Sequence, residues 1–273
     1  MTSLNLRPVP SSSSSSSSSS KPIPSPSLLK PWDFSYHPSP DGCDKNLLIM
    51  LHGLGDSKAP FFDLGKQLNL PSTAVLSLSA PDPIPLMDHP SFSWYPTFTP
   101  TYDPLPLDAQ NPTTHIPKLR KLIQTLISKE VGWTLRDIHL FGFGQGGTTA
   151  LEVGLSIHQN PISQEVDGDR RLGSIISICA SLLTHPTSTL NIQTPLCYFT
   201  RHSPQSAIHQ KSVTILKRAY KDVEVIHGSG GGGAEAMPRN KEEWYGIMKF
   251  WGQVLGRKDE GWKGEGEVYE VIR

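Results

Sequence analysis

The chain of 273 residues carries 25 basic and 25 acidic side chains, so its formal net charge at pH 7 is zero. A neutral chain has no long-range field that would attract nucleic acid or an anionic membrane, and no segment approaches the roughly 20 apolar residues of a membrane span. Its 3 cysteines are widely spaced and form no metal-binding pattern, so we expect reduced thiols in a cytoplasmic protein without metal or cofactor.

The first segment, residues 1–31, is predicted to be a disordered tail rich in serine and proline. The serine tract 11–20 and the prolines after it bury too little apolar surface to offset the entropy of ordering. Two other roles stay open for this tail. Its basic residues and the lack of an acid before Asp33 fit an organelle transit segment, and its prolines fit an SH3-type groove.

Apolar strands and amphipathic helices alternate along the next part of the chain. The predicted strands cover residues 33–37, 47–51, 73–78, 138–141, 172–179, 195–199 and 223–226. The predicted helices cover residues 59–70, 113–130, 148–156, 205–220 and 241–255. This alternation is typical of right-handed βαβ units on a mainly parallel sheet. We therefore predict one three-layer α/β domain over residues 32–256, followed by a polar C-terminal tail over residues 257–273.

The segment 81–112 is rich in proline and aromatic residues and has no periodicity. A long irregular loop in a compact domain is usually a lid or a binding loop. Two interpretations stay open for its aromatic residues Trp94, Tyr95 and Phe98. They would either line a pocket for an acyl chain or pin the loop to the core.

A strand-to-helix turn lies at residues 142–146, which read Gly-Phe-Gly-Gln-Gly. An elbow that presents a nucleophile reads G-x-S-x-G, because the sharp turn lifts a serine hydroxyl above the sheet. Gly144 stands where that serine would be. Glycine also relieves the strain that a Cβ would cause at this position. The sequence thus predicts a nucleophile elbow from which the nucleophile is missing.

Three local patterns together resemble the phospholipase/carboxylesterase family, which includes the acyl-protein thioesterases. They are Leu-His-Gly-Leu-Gly-Asp at residues 51–56, the elbow around Gly144, and Met-Pro-Arg at residues 237–239 before an acidic and then apolar helix. The resemblance covers residues 34–255. It implies the α/β-hydrolase fold, a single three-layer domain with a mainly parallel central sheet.

The resemblance also implies where a carbonyl oxygen would bind. In this family the turn after the first core strand and the residue after the nucleophile each supply one backbone N–H of the oxyanion hole. These positions are Leu54 and Gln145. Both donors belong to the main chain, so we expect the oxyanion hole to survive the change at Gly144. His52 belongs to the same turn and is expected to hold it by hydrogen bonds beside a pocket that includes Trp94 and Tyr95.

The other two triad positions also depart from the family pattern. The acid is expected after a late strand, where Ser203 stands and residues 198–207 contain no carboxylate. The base is expected after the last strand, where residues 228–237 contain no histidine. His227 and His202 are candidates for a displaced base. Cys179 ends a predicted strand and is interpreted as a core residue because no neighbouring base is evident.

Three functional hypotheses follow. The first is a catalytically dead or severely weakened relative that binds an acyl or ester ligand, or an acylated protein partner, in its cleft. The second is an active ester or thioester hydrolase with a rebuilt site, in which water attacks without a serine and is oriented by His227 or His202. The third is an interaction module that works through the tail at residues 1–31.

Overall fold

The computed structural model describes residues 5–8, 20–101, 103–162, 170–229, 235–256 and 269–272. Its strands are β1 (Asn5–Pro8), β2 (Phe34–His37), β3 (Asn46–Leu51), β4 (Thr73–Leu78), β5 (Asp82–Pro83), β6 (Phe92–Ser93), β7 (Ile138–Phe143), β8 (Ser174–Ile178), β9 (Leu196–Thr200), β10 (Val223–His227) and β11 (Tyr269–Ile272). Its α-helices are α1 (Lys58–Leu68), α2 (Ile116–Leu126), α3 (Gln145–Gln159), α4 (Ala207–Ala219) and α5 (Lys241–Val254), with short 3-10 turns at Leu107–Ala109 and Leu135–Asp137.

The main sheet has seven strands in the order β10-β9-β8-β7-β3-β4-β2. The edge strand β2 runs antiparallel to β4, and the other neighbouring pairs are parallel. The carboxyl ends of the parallel strands therefore meet at one edge of the sheet, where open α/β sheets bind their ligands. The predicted fold class is confirmed.

Helices cover both faces of the sheet, and β3 shows why. Its apolar side chains alternate between two buried clusters, because successive side chains of a strand point to opposite faces. Leu47, Ile49 and Leu51 belong to the cluster that contains residues of α2, α3 and α4. Leu48 and Met50 belong to the cluster that contains residues of α1 and α5. Each such side chain stabilises the fold by about 1.5–3 kcal/mol on full burial, so a continuous apolar run specifies a central strand.

The N-terminal segment is ordered over a longer range than the sequence predicts. Residues 20–31 lie along the domain, where the Leu29 side chain is 2% exposed and the Lys21 backbone N–H donates to Asp44 at 2.7 Å. Residues 20–31 of the predicted tail thus contact the domain, and the apolar surface that Leu29 buries contributes against the entropy cost of ordering them. We refer to residues 20–32 as the N-terminal strap.

The remainder of the two predicted tails lies outside the described residues, apart from β1 and β11. These short strands pair antiparallel with each other, Asn5 opposite Ile272. Among the described residues, no helix combines the length and apolar character needed to cross a bilayer.

One buried amide joins the beginning of the sheet to the end of the domain. The Asn46 side chain donates to Gly256 O at 2.9 Å and accepts from Gly256 N–H at 2.7 Å, across 210 residues of sequence. The same amide nitrogen also donates to Ser72 O at 3.1 Å. Asn46 is 1% exposed, so these bonds satisfy a polar group that would otherwise be costly to bury.

Candidate active site

The predicted elbow is present at the carboxyl end of β7. Gly144 has φ 52° and ψ −120°, a backbone conformation that glycine adopts at little cost and other residues adopt only under strain. Its N–H donates to Ile178 O at 3.0 Å, and its carbonyl accepts from Thr148 N–H at 3.0 Å. Helix α3 therefore begins at Gln145, three residues earlier than the sequence predicts, and the turn into it is tight.

The position of the missing side chain is open space. A Cβ placed on Gly144 meets no atom within 4 Å, whereas a Cβ on Gly146 would lie 2.3 Å from Leu51 O. Gly146 is thus required for the close packing of α3 against the end of β3, and Gly144 is not required by packing. The empty volume at Gly144 has not been filled by a neighbouring residue.

The two expected oxyanion donors, the N–H groups of Leu54 and Gln145, lie on either side of the contact between Gly146 and the end of β3. The first turn of α3 packs against the carbonyls of Leu51 and His52, which brings the turn containing Leu54 next to Gln145. Within the described chain, neither the Leu54 N–H nor the Gln145 N–H donates to a protein acceptor. Both groups remain available to a ligand oxygen, as in an oxyanion hole.

His52 is a structural residue of this turn. Its Nε2 accepts from Ala80 N–H at 2.9 Å, so the proton is on Nδ1, which donates to Gly53 O at 2.6 Å. The ring is 0% exposed, and burial lowers the pKa of His52. The imidazole is therefore neutral and fixes the loop from behind, and it does not line an open pocket.

The aromatic residues of the long loop pin that loop to the core. Trp94 and Tyr95 are buried, and the indole Nε1 of Trp94 donates to His52 O at 2.8 Å. The Gln145 side chain accepts from Trp94 N–H at 2.9 Å and donates to Tyr95 O at 3.0 Å. Phe98 is 41% exposed and is the one of the three predicted aromatic residues that remains accessible to a ligand.

Within the described part of the chain, the hydrogen bonds of the predicted acid position, Ser203, and the ring contact of the candidate base His227 are with residues other than those of the elbow. Residues 230–234 of the expected base loop lie outside the described residues. Ser203 is exposed, and its hydroxyl contacts Gln205. His227 ends β10, which β8 and β9 separate from β7; at about 4.8 Å per strand, its backbone lies roughly 14 Å from Gly144. Its ring lies 4.9 Å from the ring of His209 in α4.

His202, the other candidate base, is half-buried in the loop after β9. Burial, as the leading cause, and the charges of His227 and His202 lower the pKa of His209. The three histidines therefore lie near one another at the β10 side of the sheet. Among the described residues, no group of three or more histidine, cysteine or acidic side chains is arranged to hold a metal ion.

A buried ion pair that the sequence analysis missed follows β9, near the position where the family pattern expects the acid. Arg201 and Glu243 are 4% and 3% exposed at their side chains and lie 2.7 Å apart. The guanidinium also donates to Met237 O at 2.8 Å and Ala236 O at 3.2 Å. The Arg201 hydrogen bonds are the main reason why the pKa of Glu243 is lowered to about 2. This pair holds Ser229, Ala236 and Met237, at the two described ends of the loop in which the family pattern expects a catalytic histidine.

Cys179 lies next to the elbow, because Gly144 N–H bonds to the preceding residue, Ile178. Its backbone is left-handed, with φ 55°. Its Sγ donates to Ala236 O at 3.5 Å, and burial raises the pKa of the Cys179 thiol. The thiol is therefore protonated at neutral pH, which makes it a poor nucleophile.

One cavity among the described residues is lined by residues other than those of the elbow. It has a volume of about 660 Å³ and lies between α2 and α3, with Arg120, Glu152 and Ile162 among its lining residues. None of the predicted site residues lines it. Arg120 donates to Ser156 O and Asn160 O at the end of α3, so its charge already has a structural role.

Comparisons with known proteins agree with this fold. The uncharacterized hydrolase UM10204 of Mycosarcoma maydis is 34% identical over 256 residues, covering 90% of each chain. The crystal structure of esterase PE8 superposes with a TM-score of 0.63 at 20% identity and covers 82% of this chain and 99% of that one. Zea mays acyl-protein thioesterase 2 gives a TM-score of 0.57 at 21% identity with the same coverage.

A family model described as phospholipase/carboxylesterase matches residues 38–216. This range contains the turn at residues 51–56 and the elbow, two of the three patterns on which the resemblance is based. The predicted resemblance is confirmed: the chain belongs to the phospholipase/carboxylesterase family.

Proposed function

We propose that this protein is a catalytically dead or severely weakened member of its family that binds an acyl or ester ligand, or an acylated protein, at the elbow. The observation that carries the proposal is the combination at Gly144 of an empty side-chain position and two backbone donors, Leu54 and Gln145, that have no acceptor among the described residues. A ligand carbonyl would gain hydrogen bonds there, but no hydroxyl is present to attack it.

The positions of the candidate bases support the same proposal. His227 lies three strands from the elbow and contacts His209, and the loop after β10 is held by Arg201 and Glu243. General-base catalysis requires a group within hydrogen-bond reach of the proton that it removes, directly or through one water. We place the protein in the cytoplasm on the same proposal, supported by its three free cysteines.

The competing function is hydrolysis through a serine-independent site. The name of the Mycosarcoma maydis relative, an uncharacterized hydrolase, favours this alternative. Two backbone donors and ligand binding alone can leave on the order of 10³-fold acceleration over water, so weak turnover does not distinguish the two functions. Only a kcat in the ordinary range of roughly 1 to 10³ s⁻¹ would establish an enzyme.

The test is to measure hydrolysis and binding together on the purified protein. Hydrolysis of p-nitrophenyl octanoate and of an octanoyl thioester is compared with calorimetric binding of methyl octylphosphonate, a tetrahedral anion that imitates an ester under attack. We expect binding without ordinary turnover. Leu54→Pro, which removes the backbone donor, should abolish phosphonate binding, and the matched variant Leu54→Ala, which keeps it, should not. An ordinary kcat that Leu54→Pro abolishes would establish the competing function.

A further inference from the structure

A short piece of the long loop, residues 92–95, lies between the two halves of the oxyanion hole. On the elbow side it bonds to the side chain of Gln145, the residue whose main chain is one of the two donors. The Gln145 Oε1 accepts from Trp94 N–H at 2.9 Å, and its Nε2 donates to Tyr95 O at 3.0 Å. One planar amide therefore pairs with the loop backbone as a neighbouring strand would.

On the other side, the same piece of loop bonds to the turn that contains Leu54. Phe92 N–H donates to Asp56 O at 3.0 Å, and Phe92 O accepts from Gly55 N–H at 3.0 Å. The indole Nε1 of Trp94 donates to His52 O at 2.8 Å. Residues on both sides of Leu54 are thus attached to residues 92–95.

The network is buried and internally complete. Gln145 is 7% exposed, and Trp94 and His52 are 1% and 0% exposed. Hydrogen bonds in such a low-dielectric interior are strong, and an unpaired partner is costly. Few side chains at the first position of α3 could replace Gln145, because the amide supplies an acceptor and a donor in one plane.

We infer that Gln145 and Trp94 are positioning residues that set the separation and direction of the Leu54 and Gln145 N–H groups through residues 92–95. This inference rests on the proposed function, because it explains how the two donors are held for a ligand oxygen. It also assigns a role to the long loop: its inner part spans the oxyanion hole, and its ordering and ligand binding are coupled. Neither side chain needs to touch the ligand.

The test compares anion binding with neutral-ligand binding. Gln145→Met keeps the length of the side chain and removes both hydrogen bonds, and Trp94→Phe keeps an aromatic ring and removes the indole N–H. We expect each variant to weaken methyl octylphosphonate binding by about tenfold or more, as for loss of a buried hydrogen bond. Binding of 1-octanol, which has no oxyanion, should change by less than about twofold, since the apolar contacts remain. Gln159→Met, the same substitution at the exposed end of α3, is the matched control.

A conservative variant separates positioning from a loss of fold. The ionised carboxylate of Gln145→Glu has two acceptors and no donor, but its protonated form again offers one donor and one acceptor. Burial raises the pKa of a carboxyl group, so phosphonate affinity should recover in Gln145→Glu as the pH is lowered from about 8 to about 5. Gln145→Met should show no such recovery, and the melting temperature of both variants is followed in parallel.

The possible outcomes distinguish this inference from the proposed function. If the wild type binds neither phosphonate nor octanol, the proposed function fails. If the wild type binds phosphonate and Gln145→Met and Trp94→Phe bind it equally well, only the positioning role is overturned. Equal losses for the anion and the neutral ligand would also overturn it, as would the absence of recovery in Gln145→Glu. If the two substitutions act on one unit, the double variant should lose no more affinity than the more severe single variant.

Discussion

At the scale of single residues, Gly144 adopts the sharp backbone turn of a serine elbow but carries no side chain. The backbone there is left-handed, which costs about 1–3 kcal/mol for a residue with a Cβ. An active hydrolase tolerates that strain because the strained residue carries the nucleophile. With glycine the same turn forms without that strain, so glycine at position 144 stabilises the fold relative to a residue with a Cβ.

Gly144→Ser is therefore expected to fold and to be less stable than the wild type by about 1–3 kcal/mol. The hydroxyl has room, because a Cβ at position 144 would have no atom within 4 Å. We expect no ordinary turnover, since the hydrogen bonds and ring contacts of the described residues include none between Gly144 and His227 or His202. Urea unfolding and p-nitrophenyl octanoate hydrolysis measure the two effects. Gly144→Ala is the control for strain alone, and a kcat near 1 s⁻¹ or above in Gly144→Ser would show that a base is in reach.

At the scale of elements, the N-terminal strap behaves as part of the domain although its composition is that of a tail. Leu29 lies in the main core cluster, and the ring of Trp32 lies 6.1 Å from that of Trp94. The strap thus supports the buried part of the long loop from outside. A few buried side chains supply the stability that the strap adds to the fold, and exposed residues such as Ile23 lie between them.

Leu29→Ala should destabilise the protein by about 2–5 kcal/mol, the usual cost of truncating a fully buried leucine. The matched substitution Ile23→Ala, at a residue 67% exposed, should change stability by less than about 0.5 kcal/mol. Denaturant unfolding of both variants is the measurement. Equal stability of the two would mean that the strap detaches in solution, as the composition alone predicts.

The sequence predicts those strands and helices whose pattern is formed by residues close together in the chain. The apolar run Leu47–Leu51 is recognisable as a central strand because both of its faces are buried. The start of α3 is predicted three residues too late, because Gly146 has a low helix propensity and is favoured here only by its contact with Leu51 O. The ion pair between Arg201 and Glu243 joins residues 42 positions apart, and no local pattern indicates such a contact.

At the scale of the whole molecule, the site is spread along one edge of the sheet. The elbow follows the central strand β7, while the positions expected for an acid and a base follow β9 and β10 at one end of the order. Arg201, which follows β9, pairs with Glu243 and bonds to residues 236 and 237. A buried ion pair therefore stabilises this end of the sheet.

That pair predicts how the stability of the protein depends on pH. The folded-state pKa of Glu243 is about 2, against an ordinary value of 4.5. A carboxyl group with a lowered folded pKa stabilises the fold above its unfolded pKa, and this stability is lost as the pH falls from about 4.5 towards 2. Glu243→Gln should therefore cost about 3–5 kcal/mol at pH 7, as for a broken buried pair.

The difference between Glu243→Gln and the wild type should shrink below about pH 4.5, where the stabilisation by the wild-type carboxylate begins to be lost. Urea unfolding at a series of pH values provides the measurement. Glu242→Gln, the same change at the exposed neighbouring residue, is the control and should follow the wild-type curve. A constant difference from pH 7 down to pH 3 would show that the carboxylate charge does not contribute.

The amide of Asn46 has a consequence for the time at which the protein can complete its fold during synthesis. Asn46 is the first residue of the central strand β3, but its partner Gly256 follows it by 210 residues. At a translation rate of roughly 5–20 residues per second, the ribosome takes about 10–40 s to reach that partner. During this interval the Asn46 amide can bond to Ser72 but lacks its two bonds to Gly256. The hydrogen bonds of this buried side chain are therefore complete only when the last residues of the domain have been made.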